Sequence, residues 1–386
     1  MKYKSILLCA AFVAILAGCK KSLQYEDVVY FTGNEESPVT GMYLDGPTTM
    51  GFSVSSSCRM QEDVTVSLAV DEAAIDSFNE AGGTSYQVLP ASSYTLSSRE
   101  ALIREGTSVS VPVYLEINAL DDLEEGVLYC LPVKISSTSN DMGILSSSRY
   151  KYITINQILT TKAFSTDGYG YSGTNWFTVP SMVLNDNLRD LGVCTMEIRV
   201  LINEFYPETH NPGIASVIGQ EERFLIRFGD ISCDNSQLQV AGRGASLTSK
   251  SHFSTGRWYH VAAVDNGKTL TLYVDGEVEG QISSAGKSAI DLGWDWEGGF
   301  AICNSCNGRT MNGYISEARI WQRELSAVEL KNNQCYVDPS SEGLIAYWRF
   351  NGADANVVHD ETGHGYDAVA ARSISWKSDV KCPNVE

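Results

Sequence analysis

Positive charge is what this chain lacks most. Its 386 residues carry 28 Lys and Arg against 47 Asp and Glu, a formal net charge of −19. Phosphate recognition needs clustered cations, so binding of nucleic acid through the overall field is excluded. Histidine is scarce too, confined to His210, His252, His260, His359 and His364. None stands in H-E-x-x-H and no serine stands in G-x-S-x-G, so two common hydrolase patterns are missing. The apolar run from Ile6 to Leu16 has 11 residues, short of the ~20 that cross a bilayer as a helix. Helical periodicity is rare: in the first half, Glu72 to Ala81, with Ala74, Ile75 and Phe78 on one face, is the one persuasive case. A composition of 43% hydrophobic and 19% charged residues is globular, which excludes wholesale disorder. At roughly 150 residues per domain the length suggests two or three domains.

The N-terminus reads as an address. Lys2 and Lys4 precede the apolar run, which ends in Leu16-Ala17-Gly18-Cys19. Small residues before a cysteine resemble a bacterial lipobox, which implies removal of residues 1–18 as a signal peptide and lipid, palmitate included, on Cys19. Losing Lys2 and Lys4 takes the charge from −19 to −21. So acidic a body is not held by anionic lipids, and the acyl chains supply the attachment at ~0.8 kcal/mol per buried methylene. Residues 19–27 then form a lipidated tether.

Beyond Cys9 and Cys19 eight cysteines remain: Cys58, Cys130, Cys194, Cys233, Cys303, Cys306, Cys335 and Cys382. An exported chain permits disulfides, and eight cysteines allow about 105 connectivities, among which the spacing does not choose. Cys303-Asn-Ser-Cys306 is a C-x-x-C without a second pair or a nearby His, so a local disulfide or buried thiols fit better than zinc. It follows a strand-like run and does not open a helix, which argues against a redox motif.

From Val28 on, short β-rich runs alternate between apolar and polar positions, as in Val64–Val70, Ser108–Leu115 and Tyr150–Ile155. Residues 28–156 are expected to form a β-sandwich, and the Thr-rich stretch 157–165 a linker. Val70-Asp71, Phe78-Asn79, Tyr86–Pro90, Tyr94–Leu96, Gly106–Val109 and Tyr129–Ile135 resemble the uncharacterised N-terminal domain of Bacteroidota-type surface lipoproteins. The resemblance implies an Ig-like sandwich with no established chemistry, on an outer-membrane lipoprotein displayed at the cell surface in preference to the periplasmic face. Lys20-Lys21-Ser22 departs from the acidic residues such surface proteins place after the lipidated cysteine; here acids begin at Glu26-Asp27.

In residues 166–386 the strand Phe253–Val264 is followed by the turn Asp265-Asn-Gly-Lys268 and the return strand Thr269–Gly276, a hairpin signal because Asn-Gly tolerates positive φ. Ser326 is placed to cap a short helix. Trp258–Ala262 (W-x-H-V-A), Leu272–Gly276 (L-Y-V-D-G), Ile315–Trp321, Leu325-Ser326, Tyr347–Phe350 and Asp360–Gly365 resemble, in order, the laminin-G/pentraxin type of concanavalin A-like lectin/glucanase domain. The implied fold is all-β, a jelly roll of two facing antiparallel sheets. Members mostly bind glycans or proteins, and some relatives hydrolyse sugars.

Sugar recognition stacks C–H faces on aromatic rings and fixes hydroxyls with amide or guanidinium groups. Candidates for it are Tyr169, Tyr171 and Trp176 in a Gly-rich segment, Trp294 and Trp296 in Asp291–Glu297, and Asn304, Asn307 and Arg309. Hydrolysis would need two carboxylates about 5–9 Å apart, and no E-x-D-x-x-E strand occurs in this half. The nearest approach is Asp295 with Glu297. No catalytic residue is therefore expected, and His260 is expected to pack. The resemblance also implies Ca²⁺ at Asp360 and Gly363 with an acid from the Ile315 strand; Ser316 stands where the family's Asp would, leaving Glu317, and a metal-free turn is the alternative. The expectation is a non-enzymatic, lipid-anchored envelope protein that recognises an oligosaccharide or glycoprotein. Its rivals are a glycoside hydrolase and a protein-binding adhesion or assembly module.

Overall fold

A computed structural model describes residues 26–118, 120–166, 175–210, 212–296, 298–306 and 308–384. Cys19 and the tether before Glu26 lie outside the described residues, as do Tyr169, Tyr171, Glu297 and Asn307. Strands dominate throughout, so the all-β expectation is met.

In the first half a main sheet runs in the order Val39–Leu44, Tyr150–Gln157, Tyr129–Thr138, Val64–Val70, Glu100–Ile103. Two three-stranded sheets face it. Alternation sets the core: Val64, Val66 and Leu68 are buried while Thr65 and Ser67 are half-buried, and they meet Val29, Phe31, Leu115, Leu131 and Ile153. The helix spans Ala74–Gly82 and ends on Gly83 at φ +61°, a left-handed closure that glycine adopts without strain. Its Phe78 stacks on Tyr152 with centroids 4.3 Å apart.

The expected linker is a correction. Leu159–Ser165 is a strand of the second half, paired with Ser375–Cys382 and with Asn312–Trp321. Only Ile158 separates it from Tyr150–Gln157. Threonine is a good strand former, and the run 159–165 includes the buried Ala163 and Phe164.

Two antiparallel sheets make up the second half. One runs Glu277–Ser283, Thr269–Val274, Trp258–Asp265, Cys194–Glu204, Asn312–Trp321, Leu159–Ser165, Ser375–Cys382, with Leu344–Arg349 also on Asn312–Trp321. The other runs Ala245–His252, Cys233–Gly242, Phe224–Asp230, Ala215–Gln220, Ala301–Ile302, Phe177–Thr178, Ala368–Ala370, Val357–Val358. Between them lie Met196, Ile198, Val200, Phe224, Phe228, Ile320, Trp348 and Phe350. The Asn-Gly hairpin forms, with Gly267 at φ +80° and the Asn266 side chain accepting from Thr269 N at 2.9 Å. Ser326 caps Ala327–Asn332 in a reciprocal pair with Glu329.

The period of two that sends Met196 and Ile198 inward sends Glu197 and Arg199 outward, and likewise Glu317, Arg319 and Trp321. This outer face is not solvated. The capped helix and the chain after it cover it, with Leu330, Val337 and Leu344 packed on Ala262, Trp321 and Tyr347. The Cys335–Cys382 disulfide ties this cover to the edge strand; Cys303 of the C-x-x-C is a buried thiol, and burial pushes it well above its ordinary pKa. Beneath the cover, Glu197 accepts from Arg319 Nη1 (3.2 Å), Trp321 Nε1 (2.7 Å) and His260 Nε2 (2.9 Å). Arg319 also donates to Glu317 (3.1 Å) and to the Asn333 carbonyl (2.8 Å). Burial pushes the Glu197 carboxyl up, but Arg319 and the donors from His260 and Trp321 outweigh it and hold the group at about 2. Glu317 goes the other way: burial outweighs Arg319 and Arg349 and raises it.

Removing one partner of such a pair strands a buried charge. Glu197→Ala is expected to lower the unfolding free energy by about 3–5 kcal/mol in urea titrations. Because the Glu197 pKa is depressed from 4.5 to about 2, its contribution is complete above pH 4.5 and lost as pH falls toward 2. Melting curves across that window should fall more steeply for wild type than for the variant.

Candidate functional site

At one end of the second sheet the turn joining Ala215–Gln220 to Phe224–Asp230 meets the loops 291–300 and 303–310. Glu222 sits at φ +61° in that turn, and the alternation of the flanking strands puts polar side chains on the face away from the core. Register carries a row across that face: Ser216 lies opposite Arg227, Arg227 opposite Gln239, and Gln239 opposite Thr248.

Arg223 holds its guanidinium 3.8 Å from the Trp294 ring centroid, a contact that fixes the ring's plane. Trp294 and Trp296 are each 39% exposed. Gln220 donates to the Trp296 carbonyl at 3.4 Å. Glu221, 5% exposed, takes Arg309 at 3.1 Å and Arg227 at 3.6 Å on a single oxygen. Arg227 donates twice to Gln239 Oε1, at 3.1 and 2.8 Å, and once to Asp230 at 2.9 Å. A cavity of about 290 Å³ is lined by Glu221, Glu222, Arg227 and Gly242. Three buried polar atoms of the turn have no hydrogen-bond partner: Gln220 Oε1, Glu221 Oε2 and Arg223 Nε. Buried acceptors and donors are ordinarily satisfied, so these atoms are exceptions to the pairing that holds elsewhere around the turn.

The structure therefore brings Trp294, Trp296 and Arg309 together, around a turn that sequence reasoning passed over. Asn304 lies one residue from Ser305, whose hydroxyl is 2.7 Å from that of Ser216. Trp176 is half-buried against the core, just before Phe177–Thr178, which pairs with Ala301–Ile302; it is chiefly a packing residue. The signal that could have found Gln220, Glu221 and Arg223 is the run Gln220-Glu-Glu-Arg223, charged residues in a short turn between two apolar strands.

The residues named for calcium do not fit one. Asp360 is buried, and its carboxylate already accepts from the backbone N–H groups of Tyr347 (3.0 Å), Thr362 (3.1 Å) and Tyr366 (3.2 Å) and from the Thr362 hydroxyl (2.8 Å). Glu317 faces Arg319 and Arg349, and Ser316 accepts from Arg199. Gly363, at φ +75°, closes the turn with its N–H on the Asp360 carbonyl. Among the described residues no group of three or more His, Cys, Asp or Glu is gathered for a metal. The acidic loop is a hydrogen-bonded turn that pins the strand Leu344–Arg349. His260 is structural, as expected, and Glu197 and Glu317, although on one face, are buried and matched to arginines.

Comparison with known proteins agrees with this architecture. Residues 201–331 match the family model of the concanavalin A-like lectin/glucanases superfamily, and residues 25–142 match a model of an N-terminal domain. No curated protein matches the chain significantly. Among solved structures, a candidate carbohydrate-binding protein from Bacteroides ovatus is 25% identical, with a TM-score of 0.57, over 92% of this chain and 99% of its own. A heptameric SAP-like pentraxin from Limulus polyphemus is 13% identical over 58% of this chain and 98% of its own, with a TM-score of 0.40. Trypanosoma rangeli sialidase is 16% identical over 44% of this chain and 27% of its own, with a TM-score of 0.30. Both domain resemblances read from the motifs are thus met.

Asp360→Ala is expected to cost about 1–3 kcal/mol, because it strands buried backbone donors. The melting temperature should drop equally in calcium and in chelator; a wild-type melting temperature that rises with calcium would contradict the assignment.

Proposed function

We propose that this chain is a lipid-anchored cell-envelope protein whose second sandwich binds carbohydrate at the rim formed by Gln220–Arg223, Trp294, Trp296 and Arg309. The observation that carries the reading is the pairing of two part-exposed tryptophans with buried, partnerless polar atoms of Gln220, Glu221 and Arg223. Indole faces suit sugar C–H surfaces, and fixed carboxylate, amide and guanidinium groups suit hydroxyls. The match of nearly the whole chain to the Bacteroides ovatus protein supports the same chemistry.

A non-enzymatic role is favoured. Glu197 and Glu317, the carboxylates that two strands bring onto one face, are covered and engaged by arginines, which leaves neither to serve as acid or nucleophile. Lipid on Cys19 would anchor the outer-membrane form, with the first sandwich as a spacer and the acidic body at the cell surface.

On a glycan array the wild-type chain is expected to bind a subset of oligosaccharides, and the Trp294→Ala/Trp296→Ala double variant to bind them roughly tenfold or more weakly. Release of reducing sugar from polysaccharides would favour the hydrolase, and envelope-protein capture that survives excess free sugar would favour an adhesion module. Cys19→Ser is expected to abolish labelling by a palmitate analogue and to release the chain from membranes, and protease treatment of intact cells should cleave the wild-type chain if it faces outward.

A further inference from the structure

A cavity of about 820 Å³ lies elsewhere, between the two halves. We propose that this cleft is a second binding site, for a neutral oligosaccharide, and that it gives the first sandwich a direct part in recognition. The first half supplies Tyr43 and Tyr86, the second Trp258 and Tyr336. Tyr43 is 52% exposed on the strand Val39–Leu44, whose alternation turns it away from the core. The Arg199 guanidinium lies 4.4 Å from the centroid of the Trp258 ring and is itself held by Ser316, the Lys381 carbonyl and Asn384, so the indole is fixed in orientation. Asn156 lines the same cleft, and its buried Oδ1 has no hydrogen-bond partner. Aromatic faces among side-chain amides suit a ligand that offers C–H surfaces and hydroxyls in alternation.

Charge narrows the class. The two cationic side chains on the cleft wall are already neutralised: Arg257 by Asp275 at 2.8 Å and Lys331 by Glu277 at 2.8 Å. Each already has a carboxylate beside it, and the body as a whole is acidic, so an uncharged chain is favoured. At 820 Å³ the space is at the upper end of the roughly 300–1,000 Å³ of ordinary ligand pockets, which suits several sugar rings.

The walls are also set before binding. Arg349 donates to Glu125 across the junction at 2.7 Å, and Lys381 pairs with Asp45. Gly126, at φ +75°, lies so close to Tyr336 that a Cβ there would come within 1.9 Å of the ring. A pre-shaped cleft spares the ligand the cost of ordering it. Neither sandwich alone forms this site.

Calorimetry on the full chain tests the proposal, with neutral tetra- to hexasaccharides of glucose, mannose, galactose and xylose as probes and uronate- or sialate-bearing oligomers beside them. A neutral oligomer is expected to bind, Tyr43→Ala to weaken it roughly tenfold or more, Tyr43→Trp to restore it, and Trp294→Ala/Trp296→Ala to leave it unchanged. Tyr43 is exposed, and an unaltered melting curve would show that the variant is folded. Equal affinity of Tyr43→Ala and wild type, preference for the acidic probes, or no binding of any neutral probe overturns the cleft. Loss in the tryptophan variant alone would leave the rim reading standing and remove this one, whereas loss in Tyr43→Ala alone supports the cleft and leaves the rim to its own test on the array.

Discussion

The buried array of Glu197, Arg319, Glu317 and Arg349 is the interaction on which much of the second half depends. An ionised group under an apolar cover is costly unless it is matched in geometry and hydrogen bonds. Arg319 meets that condition through Glu197, Glu317 and the Asn333 carbonyl. The last of these reaches the chain just beyond the capped helix, so the same guanidinium that neutralises the sheet's carboxylates also holds its cover. Arg349 extends the array outward to Glu125 in the first half. The outer face of one sheet therefore becomes a second, mixed core, and the junction of the halves is built on its edge.

That arrangement bears on where the proposed recognition would occur. One sheet has its outer face sealed by the helix and the disulfide-tied segment, which accounts for the structural use of His260 and of both aligned glutamates. The other sheet carries a transverse polar row from Ser216 to Thr248, in which Ser216 and Gln239 are themselves buried, and loops gather at its end. Arg223 on Trp294 and the paired arginines on Glu221 give that rim a fixed shape and leave several polar atoms without partners. The cleft between halves lies beside the same sealing: the cover, Trp258 and the residues just after the edge strand form one wall, and the parallel pair Val39–Leu44 with Tyr150–Gln157 forms the other. A single residue, Ile158, separates the last strand of one sandwich from the first of the next, so the two walls are closely held.

Much of this architecture was legible in the sequence because it rests on local rules. Alternation in Val64–Val70, the Asn266-Gly267 turn, the Ser326 cap and the ordered motifs from Trp258 to Gly365 each report a backbone choice made within a few residues. The Thr-rich strand Leu159–Ser165 was misread as a linker, since its partners lie about 150 and 220 residues downstream. At Asp360 a carboxylate and a glycine in a turn suit a cation or a set of backbone N–H donors equally well, and only the fold supplies the donors.

By itself, then, the sequence determined the all-β class, the two resemblances, the acidic charge and the aromatic candidates of the 291–309 region, all properties set by composition or short-range spacing. The tertiary structure decided which polar residues are matched and which are left without a partner. Gln220, Glu221 and Arg223 join Trp294 only through sheet register, and Tyr43 joins Trp258 only through the packing of two domains. Such long-range coincidences cost chain entropy to bring about and are repaid by burial and pairing spread over the whole fold, so no short stretch of sequence encodes them.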